Sequence, residues 1–388
     1  MNRKNILYAL CVFACLILFA LFSTSQGVLL TPLVEHYGLT ESSQGIPNAA
    51  LNIGCTIALL TSLVVMGRIA KPKLLIMAMT ATIILILPLC SKPGFILLVA
   101  LYALVGLAVG YIDTLGSSAI ADLFHGKSAS LMMGALHAVF GIAGIVSPLV
   151  MGSLLKGGLQ WNWVYLIIAG VGCALYAYVL PVGRGWIRED AGVKSASIRL
   201  SREMLARFFG NRDQLLLLAA VLVYCLYFGG VTVWTDRFID KELNNPALGA
   251  TALSLFWLGV TASRLLTPLL KVTPLRYIQC AGLLGAAVLL PGVLSGNAYV
   301  MAGAVVVSSL LAGAVIPMIL HVSCERFSEN TLLATTTILL GVYAGQALGP
   351  MIIGQMEAAM SIKAGMLFCV AAVGLSGVAA WGIRAKKG

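Results

Sequence analysis

Twelve apolar stretches follow one another along this chain, at 7–34, 44–67, 73–91, 95–122, 131–155 and 162–182, and again at 213–240, 248–270, 275–295, 298–324, 331–357 and 363–384. A helix needs about 20 mostly apolar residues to cross the hydrocarbon core of a bilayer, and each stretch supplies a run of about that length. The pattern predicts an all-α integral membrane protein of twelve transmembrane helices. Composition agrees: the chain is 60% hydrophobic and 10% charged, too few charges to cover a water-facing surface of this size. Soluble enzymes and nucleic-acid binders are excluded, and the first partner expected is the lipid of the membrane. Arg3 and Lys4 before the first stretch imitate a secretory signal, but that stretch is too long and eleven more follow, so it reads as the first helix.

The basic residues orient the bundle. With a cytoplasmic N-terminus, 20 of the 25 Lys and Arg fall in the even-numbered connections, the central loop and the two chain ends. Only Lys92, Lys156, Arg237, Lys241 and Lys363 fall on the other face. Basic residues gather on the cytoplasmic side of membrane proteins, so both termini are expected in the cytoplasm of a cell bounded by this plasma or inner membrane. On this count Arg264 is a cytoplasmic residue. The nine cysteines lie in or beside apolar stretches with no metal-ligand or disulfide-framework spacing, which makes them packing residues. No cofactor or metal motif and no catalytic motif of the nucleophile-elbow or metalloprotease kind is present, so no enzyme is expected.

One long polar connection, 183–212, divides the chain into an N-terminal six-helix bundle, 1–182, and a C-terminal one, 213–388. Its segment from Ile198 to Phe209 has apolar residues at helical spacing with arginines between them, the pattern of an amphipathic helix lying along the membrane surface. The halves resemble each other at a separation of about 203 residues. Ser147-Pro148 and Gly152 answer to Gly349-Pro350 and Gly354, and Asp122-Leu123-Phe124 answers to Glu325-Arg326-Phe327. A duplicated six-plus-six bundle is the signature of a secondary transporter that works around a site near the membrane midplane.

The chain resembles the major facilitator superfamily along its whole length. It is most similar to the fucose:proton symporter-like branch, through Gly106-x-x-x-Gly110-x-x-Asp113-Thr114 in the fourth helix and Leu136-His137-x-x-Phe140-Gly141 in the fifth. Phe256-Trp257-x-Gly259-x-x-x-x-Arg264-Leu265 in the eighth carries the same likeness. The resemblance implies a twelve-helix fold and a gate salt bridge at the inner end of the fourth helix, Asp122 with Arg68 or Lys71. The connection Gly67-Arg68-Ile69-Ala70-Lys71-Pro72-Lys73 departs from the superfamily pattern by lacking its Asp, and the first helix lacks the buried acid of the sugar symporters.

Of the fourteen acids, only Asp113 falls inside a stretch; the others fall at its ends or in connections. A carboxylate at membrane depth is costly and is a functional group by default, and it can load and unload a proton near physiological pH. His137 on the next helix falls at a similar depth and can share or relay that proton. The polar and aromatic residues Gln26, Asn52, Thr114, Tyr227, Trp234, Trp257, Tyr343 and Gln346 are the candidates for substrate contacts, because amides bond hydroxyls both as donors and as acceptors and aromatic faces pack on sugar rings. The glycine stripes Gly106–Gly110 and Gly341–Gly345–Gly349 read as close helix packing. The expected activity is proton-coupled uptake of a small neutral solute such as a sugar by a monomer that alternates access. The alternative is a proton-driven exporter of an amphiphilic drug, metabolite or lipid.

Overall fold

The computed structural model describes residues 3–65, 68–124, 127–190, 202–327 and 331–383. Among them the secondary structure is helical. The helices are α1 (Arg3–Thr24), α2 (Gln26–Tyr37), α3 (Ile46–Val65), α4 (Lys71–Ile86), α5 (Phe95–Leu123), α6 (Lys127–Lys156) and α7 (Trp161–Asp190). They continue as α8 (Arg202–Gly210), α9 (Arg212–Arg237), α10 (Gly249–Leu266), α11 (Pro274–Leu294), α12 (Ala298–Ala312), α13 (Val315–Arg326), α14 (Thr331–Ala359) and α15 (Ile362–Trp381). Eleven membrane-spanning segments meet both length and hydropathy among the described residues. The 20-residue α3 accounts for the remaining expected span, 44–67. Two expected spans are each made of two helices: α1 with α2, and α12 with α13. Of the expected connection 183–212, the first part continues α7 to Asp190, α8 covers Arg202–Gly210, and 191–201 lie outside the described residues.

Local chemistry sets the helix ends. Asn211 accepts hydrogen bonds from the backbone N–H groups of Asp213 and Gln214 at the start of α9, and Asn297 does the same for Tyr299 and Val300 at the start of α12. Thr273 and Ser361 cap α11 and α15. Such side-chain caps satisfy N–H groups that a helix start leaves over. Gly38, Gly158 and Gly296 take positive φ in connecting turns, where a side chain would be strained.

The chain divides into two compact units, residues 1–25 with 50–198, and residues 26–49 with 199–388. The second unit therefore includes α2 and the first turn of α3, which lie in the first half of the sequence. Close backbone approaches hold this segment there. Gly27 lies against Thr232 O, a Cβ on Gly45 would stand 2.7 Å from Met351 N, and one on Gly354 would stand 2.5 Å from Glu41 O.

Each unit contains the same helix pair joined in the same way. In the first unit Gly54 of α3 lies against Ala103 O and Leu107 N of α5; in the second, Gly259 of α10 lies against Val306 O and Leu310 N of α12. A Cβ on Gly110 would meet Cys55 Cα at 2.8 Å and Ala58 Cβ at 2.7 Å, while one on Gly313 would meet Val260 Cα at 2.7 Å and Ser263 Cβ at 3.0 Å. Positions 103 and 306, 107 and 310, 110 and 313 all stand 203 apart. The repeat read from the sequence is thus a repeat of contacts, and it rests on glycines that let two backbones touch.

Candidate functional site

In the first unit, α5 presses so closely on α3 that a Cβ on Gly106 would run into Leu51 O. Asp113 follows Gly110 by three residues on α5, half-buried and within electrostatic range of the Cys55 thiol on α3. It stands eighteen residues from Phe95, about 27 Å along the helix at 1.5 Å per residue. Asn52, one turn before Cys55 on α3, is buried at 6% exposure. The Thr114 hydroxyl donates to Gly110 O of its own helix at 2.9 Å. His137 lies exposed on α6. At the end of α5, Asp122 pairs with Lys71 at 2.5 Å, and Lys71 also donates to Ser118 Oγ at 2.7 Å. Of the two bases the resemblance offered, the structure brings Lys71 to Asp122 and leaves Arg68 exposed.

In the second unit, two of the expected contact residues have their polar atoms engaged by protein. Tyr227 OH shares a hydrogen bond with Ser308 Oγ at 3.0 Å, and Trp234 Nε1 donates to Pro350 O at 3.1 Å. Trp257 packs its ring against Phe228 and Phe256 at 5.6 and 5.9 Å between centroids. Tyr343 is buried. Gln346 is half-buried on α14 with its backbone against Gly229. Gln26 lines a cavity of about 10 Å³ together with Gln44, Asn48, Leu30, Leu33 and Val233, enough for about one water molecule. Gln44 is 2% exposed and its Oε1 has no protein hydrogen-bond partner. Two ion pairs sit on the face that the charge pattern assigns to the outside, Lys241 with Glu35 at 3.1 Å and Arg237 with Glu357 at 3.6 Å.

Gln44 escaped the sequence reading, and Lys71 and Arg264 were named in it without the contacts that the structure gives them. Lys71 was one of two bases at its site, and only geometry chooses between them. Gln44 lies in a polar turn and carries no sequence signal of burial. Arg264 was read at the cytoplasmic end of the eighth span, 248–270; it lies in α10 and donates from Nε to Gly313 O at 3.3 Å, a contact the sequence did not show. A signal for it existed in Pro317, which removes a hydrogen-bond donor from the middle of an apolar run. Among the described residues, no group of three His, Cys, Asp or Glu side chains is placed to hold a metal ion. A carboxyl group such as that of Asp113 is of the chemical type that can hold and release a proton.

Comparison with known proteins supports the architecture. The Protein TsgA homolog of Buchnera aphidicola subsp. Schizaphis graminum is 19% identical over 238 residues, which are 60% of this chain and 58% of that protein. The TsgA homolog of Citrobacter koseri is 23% identical over 236 residues, again 60% and 58%. The multidrug transporter protein MdtP of Bacillus subtilis is 29% identical over 122 residues, 30% of this chain and 22% of that protein. The matches thus span less than two thirds of these curated relatives. Among solved structures, a bacterial homolog of the human lysosomal transporter Spinster, inward-facing and occupied, superposes with a TM-score of 0.75 at 14% identity over 98% of this chain and 96% of that one. The Escherichia coli fucose:proton symporter FucP superposes with a TM-score of 0.68 at 14% identity over 99% and 100%. The superfamily profile matches residues 12–291, from the first expected span into the ninth and well past the point where the repeat begins, and this chain belongs to the Major Facilitator Superfamily.

Proposed function

We propose that this transporter moves a small neutral solute, a sugar or similar polyol, inward across the cytoplasmic membrane by alternating access, and that a proton carried on Asp113 drives it. The observation that carries the reading is a half-buried carboxylate well inside an unbroken 29-residue membrane helix, ten residues from its end at Leu123. A charged group in that setting is retained for function, and a carboxylate in it can take up and give off a proton. His137 is the second titratable group of this path. Gln26, Asn52, Trp257, Tyr343 and Gln346 are the side chains assigned to the solute, with Asp122 and Lys71 as an inner latch. The protein acts as a monomer with both termini in the cytoplasm.

The match to a protein named as a multidrug transporter supports a second reading, proton-driven export of an amphiphile. Counterflow and accumulation in proteoliposomes separate Asp113's role from binding. Asp113→Asn is expected to keep exchange of labelled for unlabelled solute across the membrane while losing accumulation driven by a pH gradient, and Asp113→Glu to recover part of it. Accumulation at the wild-type level in Asp113→Asn would remove the carboxylate from coupling.

A further inference from the structure

The two copies of the glycine contact sit on helices that behave differently. α5 runs unbroken through Gly110, whereas its counterpart stops at Ala312 and restarts at Val315, with Ala314 at φ −94° and ψ 7°. Both glycines lie against equivalent atoms, so close packing does not cause the break. The sequence difference is at the position four residues on. In α5 it is Thr114, which carries a backbone N–H and whose hydroxyl also bonds Gly110 O. In the second unit, 203 residues further along, it is Pro317. Proline has no N–H, and its ring crowds the carbonyl four residues back, here that of Gly313.

Side chains from three helices take over the bonds that a continuous helix would make. Arg264 of α10 donates to Gly313 O, Tyr224 of α9 donates to Ala312 O at 2.7 Å, and Tyr277 of α11 donates to Leu311 O at 2.7 Å. Ser263 Oγ accepts from Ala314 N at 3.1 Å and shares a further bond with Tyr277 OH at 2.9 Å. The two helical pieces also have different neighbours. α12 packs on α10 and α11, while α13 packs on α11, α14 and α9. A cation beside the carbonyl end of a helix is favourable, and a guanidinium keeps several donors in a fixed plane.

We propose that Gly313–Ala314 is a hinge within the second unit, and that Arg264 is a positioning residue that sets its angle by standing in for the missing N–H of Pro317. The transport part of this proposal rests on the function proposed above; the hinge itself does not.

Two measurements test it on the full-length protein in detergent and in proteoliposomes. The first is amide hydrogen exchange. Val315, Ile316, Met318 and Ile319 are expected to exchange at least ten times faster than residues 302–308 of the same span. Pro317→Thr is expected to abolish that excess, and Arg264→Leu to enlarge it about tenfold. In the double variant Pro317→Thr with Arg264→Leu, the restored N–H is expected to cancel the Arg264 defect in both exchange and melting temperature. Equal exchange along the span in the wild type overturns the hinge. A defect of Arg264→Leu that Pro317→Thr leaves untouched overturns the stand-in role, and Arg264→Gln is the milder variant if Arg264→Leu does not fold. The second measurement is counterflow with L-fucose, D-glucose and tetraphenylphosphonium as probes. Pro317→Thr is expected to lower turnover about tenfold at unchanged KM for whichever probe is carried, and full turnover overturns a role for the hinge in transport. If the wild type carries none of the three, the solute classes proposed above are what fail, and exchange still decides the hinge.

Discussion

Gln214 is fully buried at the start of α9, where its amide donates to Ser323 O at 2.9 Å and accepts from Ser323 Oγ at 2.7 Å. Gln214→Leu would strand the buried Ser323 hydroxyl, at a cost of about 1–3 kcal/mol, while Ser323 O keeps its bond from Phe327 N–H at 2.9 Å, so a fall in melting temperature is expected without any change in solute preference. Tyr227 offers the reverse test, because Ser308 already occupies its hydroxyl. Tyr227→Phe is expected to cost about 1 kcal/mol of stability and to leave KM within about twofold of the wild type; a large rise in KM would restore Tyr227 to the solute contacts. The place of Asp113 within a long helix was legible in the sequence, because one acid in a long apolar run stands out by itself. Arg264 was not, because a base near the end of an apolar run looks the same whether it snorkels to the surface or reaches sideways to a carbonyl. Trp234 and Tyr227 looked like solute contacts for a related reason: residue type shows a hydrogen-bonding group, and only the fold shows that Pro350 O and Ser308 already answer it.

Helices in this protein meet where glycines let them. On α14, a Cβ on Gly345 would stand 2.5 Å from Leu222 O and 2.6 Å from Cys225 Cβ of α9, and Gly341 and Gly349 touch the same helix. Gly345→Val and Gly110→Val are each expected to destabilise by roughly 1–3 kcal/mol or more, as overpacking does. Gly134→Ala and Gly303→Ala, where no atom lies within 4 Å, should be nearly silent. Thermal melts of the four variants check this, and equal melting temperatures would contradict the packing role of the stripes. The stripes and the duplication were readable from spacing, since both are periodic. The breaks were not. Where α1 gives way to α2 the sequence carries Ser23-Thr24-Ser25-Gln26-Gly27, which reads equally as a polar patch within one span; through Gly313–Ala314 the run stays apolar, Pro317 is the sole local sign, and its meaning depends on which side chains surround it.

For the molecule as a whole, the proposed orientation has both chain ends in the cytoplasm, on the strength of the uneven distribution of Lys and Arg. A fluorescent protein fused after Gly388 is expected to fold and emit, whereas alkaline phosphatase at the same point is expected to stay inactive; the opposite pair of results would invert the orientation. The compact units follow the sequence halves except over residues 26–49, which join the second unit. That exchange could not be read from the chain, because the glycines that hold it, Gly27, Gly45 and Gly354, meet backbone far away in sequence.

The central claim, that a proton on Asp113 travels inward with a neutral solute, has a direct test in the external pH of unenergised proteoliposomes when sugars or amphiphilic cations are added. Symport takes protons inward with the solute, so a sugar is expected to make the outside more alkaline in the wild type and to leave it flat in Asp113→Asn. Acidification on adding an amphiphile would mean exchange and would contradict uptake, and an alkaline shift that persists in Asp113→Asn would contradict the role given to this residue.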